Sequence, residues 1–367
     1  MSIRTTLAAG VALAALVAPA ITPALADVAE AQAIVDQYSQ TPSFTAPGPA
    51  FDAAACMADK KMFVIPLTSA NPFNEAINQG FRDAAEMVGF EVRTWETQLD
   101  PAGWIQGINT AIAEGFDLID LQGGVPPEFL VPQITEARDA GLKVTATHNY
   151  DATTQEAPEY MDGTADTDYV TVGRVLGAWA VTRTDGAVNA LVIGSDEVTP
   201  TAPLRDAIID TIEEHGTDAK TRYINVPVAD WATKMQTEVQ NALLADPSIN
   251  YVIPVYDSMS QFAAPAIQIA GSDAKIISYN GTPFVLDMMR DGDIVEMNVG
   301  ESLGWVGMAG ADANMRLLCD QEPVDTLNTP AFVFTDENVE TAGNPATFND
   351  GYGDVHIAEF RKLWGLE

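Results

Sequence analysis

The sequence predicts an α/β protein made of two doubly wound parallel-sheet lobes joined by a three-segment hinge. Three observations point there. Short apolar runs alternate with amphipathic helical stretches almost without a break from residue 62 to residue 319, the pattern of repeated strand-helix-strand units. Nine strand candidates with so many helices suit two lobes better than one sheet. The polar stretch 147–169, rich in Asp and Thr, interrupts the alternation and reads as the first crossing between the lobes.

Residues 1–26 read as a secretory signal. Arg4 gives a weakly positive start, 7–21 is apolar, and Ala24-Leu25-Ala26 is a small-residue cleavage site, so cleavage is expected after Ala26. The apolar run is shorter than the ~20 residues that span a bilayer. The expected location is the periplasm. Residues 27–60 form an N-terminal extension with a linker at 46–49. The first lobe is expected over 61–165 plus 301–328, and the second over 166–300 plus 329–367, which includes the tail.

The stretch 62–95 is the most informative. An apolar strand at 62–66 runs into a polar turn holding Asn71, Pro72, Phe73 and Asn74. Ile77, Phe81, Ala84, Ala85 and Val88 then mark one face of a helix. In an open α/β sheet the turn after a strand's carboxyl end is where ligands bind. Further strands are expected at 91–95, 117–122, 143–148, 189–194, 222–226, 251–256, 275–279 and 294–299. Helices are expected at 102–114, 170–182, 203–215, 231–245, 260–270, 283–290 and 303–319, with a short terminal helix after the loop at 344–353. The second and third crossings between lobes are placed near 280–283 and 300–301.

Acidic residues outnumber basic ones 52 to 18, for a net charge of -34. That excess argues against nucleic acid or an anionic membrane surface as a partner. The two cysteines, Cys56 and Cys319, permit one disulfide in an oxidising compartment; two separate buried thiols are the other reading. Three histidines and no CxxC motif offer no metal-ligand spacing. The sequence holds no GxGxxG after a strand, no GxxxxGK[ST], no GxSxG and no HExxH. Neither an enzyme nor a cofactor is expected.

The 62–95 stretch, LLADPSINYVIPVYDSMSQFAAPAIQIAG at 243–271 and KIISYNGTP at 275–283 together resemble the ribose/galactose-type periplasmic sugar-binding proteins. These are type I periplasmic binding proteins, the substrate-binding subunits of ABC importers. The resemblance spans about 60–334. It implies two hinged lobes that close over a sugar and then dock on an ABC permease in the inner membrane. Asn71 and Phe73 keep the family's loop, and Asn74 stands where a second stacking aromatic is common. His148 and Asn149 fall on an adjacent Asp-Arg pair, a departure. Arg205 keeps a ligand-binding Arg, Trp231 falls on a stacking aromatic, and Tyr256 falls on an amide position with Asp257 beside it. Asn280 replaces an acid, and Glu301 lies beside a position where Gln is common. Asp166, in the crossing, is a further ligand candidate.

Such residues suit sugars: amides and acids pair with hydroxyls, and rings stack on C–H faces. With a charged pair and an acid lost, the expected ligand is a neutral monosaccharide, a deoxy sugar or a sugar alcohol, bound by a monomer without chemistry. Structural alternatives stay open: Asn71 as a helix cap, His148 as a satisfied core histidine, Trp231 as core, Arg205 paired with Asp206. A sensor docking to a chemoreceptor or sensor kinase is the alternative function, with a periplasmic enzyme behind it.

Overall fold

The structure, a computed structural model, describes residues 23–292, 294–324 and 326–366. Of the expected signal segment, residues 1–22 lie outside them. The chain runs α1 (Pro23–Gln37), α2 (Ala53–Met57), β1 (Lys61–Pro66), α3 (Pro72–Val88), β2 (Glu91–Thr94), α4 (Pro101–Ala113), β3 (Leu118–Gln122), α5 (Val131–Asp139), β4 (Lys143–Asp151) and β5 (Gly163–Thr167). It continues through α6 (Tyr169–Arg183), β6 (Asn189–Gly194), α7 (Thr201–His215), β7 (Lys220–Asn225), α8 (Gln236–Ala245), β8 (Tyr251–Pro254), α9 (Ser260–Ala270), β9 (Lys275–Asn280) and α10 (Pro283–Asp291). Last come β10 (Val295–Gly300), α11 (Leu303–Leu318), β11 (Phe332–Phe334) and α12 (Val355–Leu363).

Two sheets form. The first has the order β2-β1-β3-β4-β5 and is parallel throughout; the second has the order β11-β10-β9-β8-β6-β7, with only β11 antiparallel. The inner strands are buried on both faces, as parallel strands covered by helices must be, while the edge strands β2 and β7 are partly exposed. Val64, Ile77, Phe81 and Trp305 pack beneath α3 and α11 on one face of the first sheet. Phe63, Ile119, Trp104 and Ile134 pack beneath α4 and α5 on the other. In the second lobe α6 and α7 cover one face and α8, α9 and α10 the other.

Local chemistry fixes the elements that shape the cleft. Asn71 Oδ1 accepts from the Phe73 amide at 3.0 Å, Pro72 opens α3, and Gly89 closes it with φ 92°. Asp100 caps α4 through the Gly103 amide at 2.9 Å.

The lobes exchange chain at three places: after β5 at Asp168, after β10 at Glu301, and through 326–331 into β11. The crossing expected near 280–283 is instead a turn inside the second lobe, because β9, α10 and β10 all belong to its sheet and its flank. The stretch 147–169 is not all connection either. It contains the end of β4 and all of β5, whose Thr164 and Ala165 pair with Ala146 and Thr147.

Two segments outside the hinge also join the lobes. In the extension, Ala31 and Val35 of α1 bury against α6 and α7, while α2 packs on the first lobe. The tail passes from β11 to α12, and Phe360, Leu363 and Trp364 bury in the first lobe's core rather than in the second's. The two segments meet where the Phe51 amide donates to the Leu363 carbonyl at 2.9 Å.

Cys56 on α2 and Cys319 after α11 form a disulfide, with Cα atoms 5.9 Å apart and a sequence separation of 263. Closing so long a loop removes much unfolded-state freedom, worth about 2–5 kcal/mol by the usual range. The double variant Cys56→Ser/Cys319→Ser is expected to melt about 5–10 °C lower in a calorimetric scan. An unchanged melting temperature would show that the bond does not hold the extension in place.

Candidate functional site

Each sheet places two loops at the point where its strand order reverses, and ligands of open α/β sheets bind there. In the first lobe these are the loops after β1 and β3, carrying Leu67–Asn71 and Gly123-Gly124. In the second they are the loops after β6 and β8, carrying Val198, Pro200, Tyr256 and Ser258. All four loops line one cleft between the lobes.

Seven of the residues singled out in the sequence meet in that cleft: Asn71, Phe73, Asn74, His148, Trp231, Tyr256 and Asn280. Among the described residues lining it, none is Asp, Glu, Lys or Arg. The Phe73 ring stands edge-on to His148, with centroids 5.4 Å apart. Trp231 donates Nε1–H to Ser195 Oγ at 2.9 Å and to the Val226 carbonyl at 3.1 Å, which fixes its ring plane at the cleft wall. The Tyr256 hydroxyl lies 2.9 Å from Thr201 Oγ1. Asn74 is fully buried; its Nδ2 reaches Gln122 Oε1 at 3.3 Å, and its Oδ1 has no protein partner.

His148 sits where β4 loses its regular register with β5, and its φ of 60° is left-handed. Few residues other than Gly adopt that conformation, and here it turns the ring toward the cleft. Nε2 lies 2.7 Å from Glu301 Oε1 and Nδ1 lies 2.8 Å from the Tyr169 hydroxyl. A carboxylate only accepts, so Nε2–H donates to Glu301. Burial pushes the Tyr169 phenol well above its ordinary value, so its hydroxyl keeps a proton to offer Nδ1. The Tyr279 hydroxyl also donates to Glu301 Oε1. Glu301 thus links His148 of the first lobe to Tyr279 of the second, and the same histidine bonds Tyr169 directly.

Five of the singled-out residues lie elsewhere. Asn149 is spent on backbone, accepting from the Gly124 amide and donating to the Val125 carbonyl, both at 2.6 Å. Asp166 accepts from the Asn149 and Tyr150 amides at 3.1 and 2.8 Å. Arg205 pairs with Asp206 at 2.7 Å and Asp196 at 3.5 Å, and lies 5.1 Å from the Tyr223 ring centroid, on the flank of α7. Glu301 is held behind His148. Asp257 is buried beneath Tyr256, where it accepts from the Thr282 amide at 2.7 Å, Thr282 Oγ1 at 2.5 Å and Asn298 Nδ2 at 3.2 Å. The sequence reading omitted Tyr169 and the Gly123-Gly124 turn. The turn was findable, because it follows β3 at its carboxyl end.

Burial pushes Asp257 up to about 7 and Asp120 and Asp166 up to about 6. Each folded value lies above the unfolded one. Between about pH 4 and about pH 7 the native state therefore binds more protons than the unfolded chain, and stability falls as pH rises through that window. Asp257→Asn keeps the Thr282 and Asn298 contacts without the charge. Its melting temperature is expected to fall less steeply over the window, at about 1.4 kcal/mol per pKa unit removed as an upper figure. A slope equal to that of the parent protein would rule out Asp257 as a source.

Two α/β lobes that share one ring-lined cleft are the architecture of a two-lobed binding protein. The chain belongs to the family described as periplasmic binding protein domain, whose family profile matches residues 62–322. The chain is similar to the ribose import binding protein RbsB of Escherichia coli (strain K12), 22% identical over 267 residues, covering 71% of this chain and 86% of that one. Among solved structures, an ABC transporter solute binding protein from Agrobacterium vitis with bound allitol superposes with a TM-score of 0.66 at 19% identity, covering 77% of this chain and 97% of that one. A second from Agrobacterium vitis, bound with alpha-D-tagatopyranose, gives 0.67 at 17% identity, covering 80% and 100%. A carbohydrate transporter from Acidothermus cellulolyticus 11B in complex with myo-inositol gives 0.63 at 20% identity, covering 78% and 97%. These superpositions establish the fold.

Proposed function

We propose that this protein is the exported capture subunit of an ABC importer. It closes over a neutral polyhydroxy ligand (a monosaccharide, a deoxy sugar or a sugar alcohol) and releases it unaltered to a permease in the inner membrane. The observation that carries this is the composition of the cleft. Phe73, Trp231 and Tyr256 supply flat faces, Asn71, Asn74, Asn280 and His148 supply hydrogen bonds, and no acid or strong base lines it among the described residues.

Such walls favour a ligand with C–H faces and scattered hydroxyls over a charged one. Relatives bearing ribose in their name and neighbours with allitol, tagatopyranose or inositol in their titles support the same class. Because both lobes supply walls, a ligand touching all four loops binds the closed form better and shifts the population toward it. Asn71, Phe73, Asn74, His148, Trp231, Tyr256 and Asn280 are the proposed contacts. The signal segment at 1–26 fits export.

Native mass spectrometry of the protein as purified tests the reading. The expected adduct is one neutral polyhydroxy compound, recovered with unchanged mass after denaturation. A charged adduct, or a compound that the protein converts on incubation, would overturn it.

A further inference from the structure

A second, larger cavity of about 640 Å³ lies behind the hinge, on the side away from the cleft. Five stretches of chain line it: 37–45 of the extension, Ala152-Thr153 after β4, 166–172 from β5 into α6, the ends of β9 and β10 at Tyr279 and Glu301, and 326–331 on the way to β11. Its size falls in the range of small-molecule sites, about 300–1,000 Å³.

Its walls are rich in hydrogen-bond acceptors and poor in positive charge. Asp166 and Glu301 line it and are 2% and 1% exposed. Asp168 lines it too, but is engaged as the cap of α6 through the Thr171 amide at 2.8 Å. No Lys, Arg or His is among the described residues of the lining. The basic side chain that reaches this set is His148, which bonds Glu301 from the cleft side.

Three polar atoms here are buried without a partner: Glu301 Oε2, Thr167 Oγ1 and Thr329 Oγ1. Buried polar groups are normally satisfied, and leaving one without a partner is costly. Thr167 is 7% exposed, so this is a side chain of the floor rather than of a solvated rim.

We propose that the cavity is a second ligand site, for a small organic ammonium ion. An ammonium group brings positive charge to two buried carboxylates and up to three N–H donors to the orphan acceptors, while a hydroxyl on its short chain suits the Thr and Gln side chains of the walls. Burial pushes Asp166 up to about 6 although its hydrogen bonds and the charge of His148 pull the other way, and a cation placed beside it would bring it down further. Glu301 also holds His148, so an occupant at the rear touches the network that forms one wall of the cleft. Affinity at the two sites is then coupled, and the coupling is reciprocal.

The test is a thermal-shift titration of the purified full chain with ethanolammonium chloride. Sodium chloride at matched ionic strength and ethylene glycol serve as controls. The expected result is a saturable rise in melting temperature with ethanolammonium alone, following the mass-action form for one site. Thr329→Arg sets a guanidinium in the cavity and should abolish the rise. Thr45→Arg, at an exposed position of the rim, should weaken ethanolammonium by about tenfold or more while leaving the far-ultraviolet circular dichroism unchanged. The proposal is overturned if ethanolammonium gives no more than sodium chloride does. It is equally overturned if the folded Thr45→Arg protein responds as the parent does.

Discussion

Gly307→Val should leave no stably folded first lobe. Helices α3 and α11 cross at backbone contact through Gly80 and Gly307. A Cβ on Gly307 would lie 2.1 Å from the Ile77 carbonyl oxygen and 2.8 Å from the Gly80 Cα. A Cβ on Gly80 would lie 2.3 Å from the Gly304 carbonyl oxygen. These obstacles are backbone atoms, which no rotamer change moves aside. The helices would have to part, and the layer of Val64, Ile77, Phe81 and Trp305 that both cover would lose its packing. Overpacking of a core costs roughly 1–3 kcal/mol where side chains can yield and more where they cannot. Against a total stability on the order of 5–15 kcal/mol, a loss of roughly 4 kcal/mol or more is decisive. Limited proteolysis reads it directly: the variant should be cut within the first lobe under conditions in which the parent resists. A protease-resistant variant melting with the parent would show that the crossing is looser than described.

Phe73→Ala and Trp231→Ala should each weaken the copurified ligand by roughly 30-fold to 100-fold, since truncating a buried aromatic anchor commonly costs about 2 kcal/mol or more. Both rings are half-buried, so much of their area is free to meet a guest. Phe73 is the second residue of α3, and its removal leaves the Asn71 cap and Pro72 in place. Trp231 carries a second function, because its Nε1–H satisfies Ser195 Oγ and the Val226 carbonyl. Trp231→Phe separates the two: it keeps a stacking face and should retain most of the affinity while losing some stability. Arg205→Ala is the matching control on the outer flank of α7 and should bind as the parent does. Calorimetric titration of the ligand-free variants decides. Equal affinities for Phe73→Ala and the parent would take the site away from this cleft.

Much of the architecture was legible because the parallel strands are apolar runs bounded by caps and turns. The Asn71-Pro72 start and the Ile77, Phe81, Val88 stripe of α3 gave both its bounds and its buried face. Elements without that signal were not readable. β5 has the sequence GTADT and becomes a strand only through its pairing with β4. α5 buries only Ile134 and Ala137 within its span, too thin a stripe to stand out. α1 lies beside an apolar signal-like segment whose composition hides its own pattern. In the cleft, residues in the loops after strands were findable, since the carboxyl ends of strands are fixed by topology. Arg205 depended on the phase of α7, and Leu204 and Ile208 point the buried face inward, leaving Arg205 on the flank. Asn149 and Asp257 looked like ligand groups because an amide or acid near a strand end has the same composition whether it faces a ligand or caps backbone amides.

Closure of the two lobes over a neutral guest should change the shape of the protein in solution. Small-angle X-ray scattering of the ligand-stripped, refolded protein tests it most directly, with the compound recovered by mass spectrometry added back. The expected result is a smaller radius of gyration on saturation at one ligand per chain, and no change for Phe73→Ala at the same ligand concentration. A radius that stays constant while the parent binds stoichiometrically would contradict it.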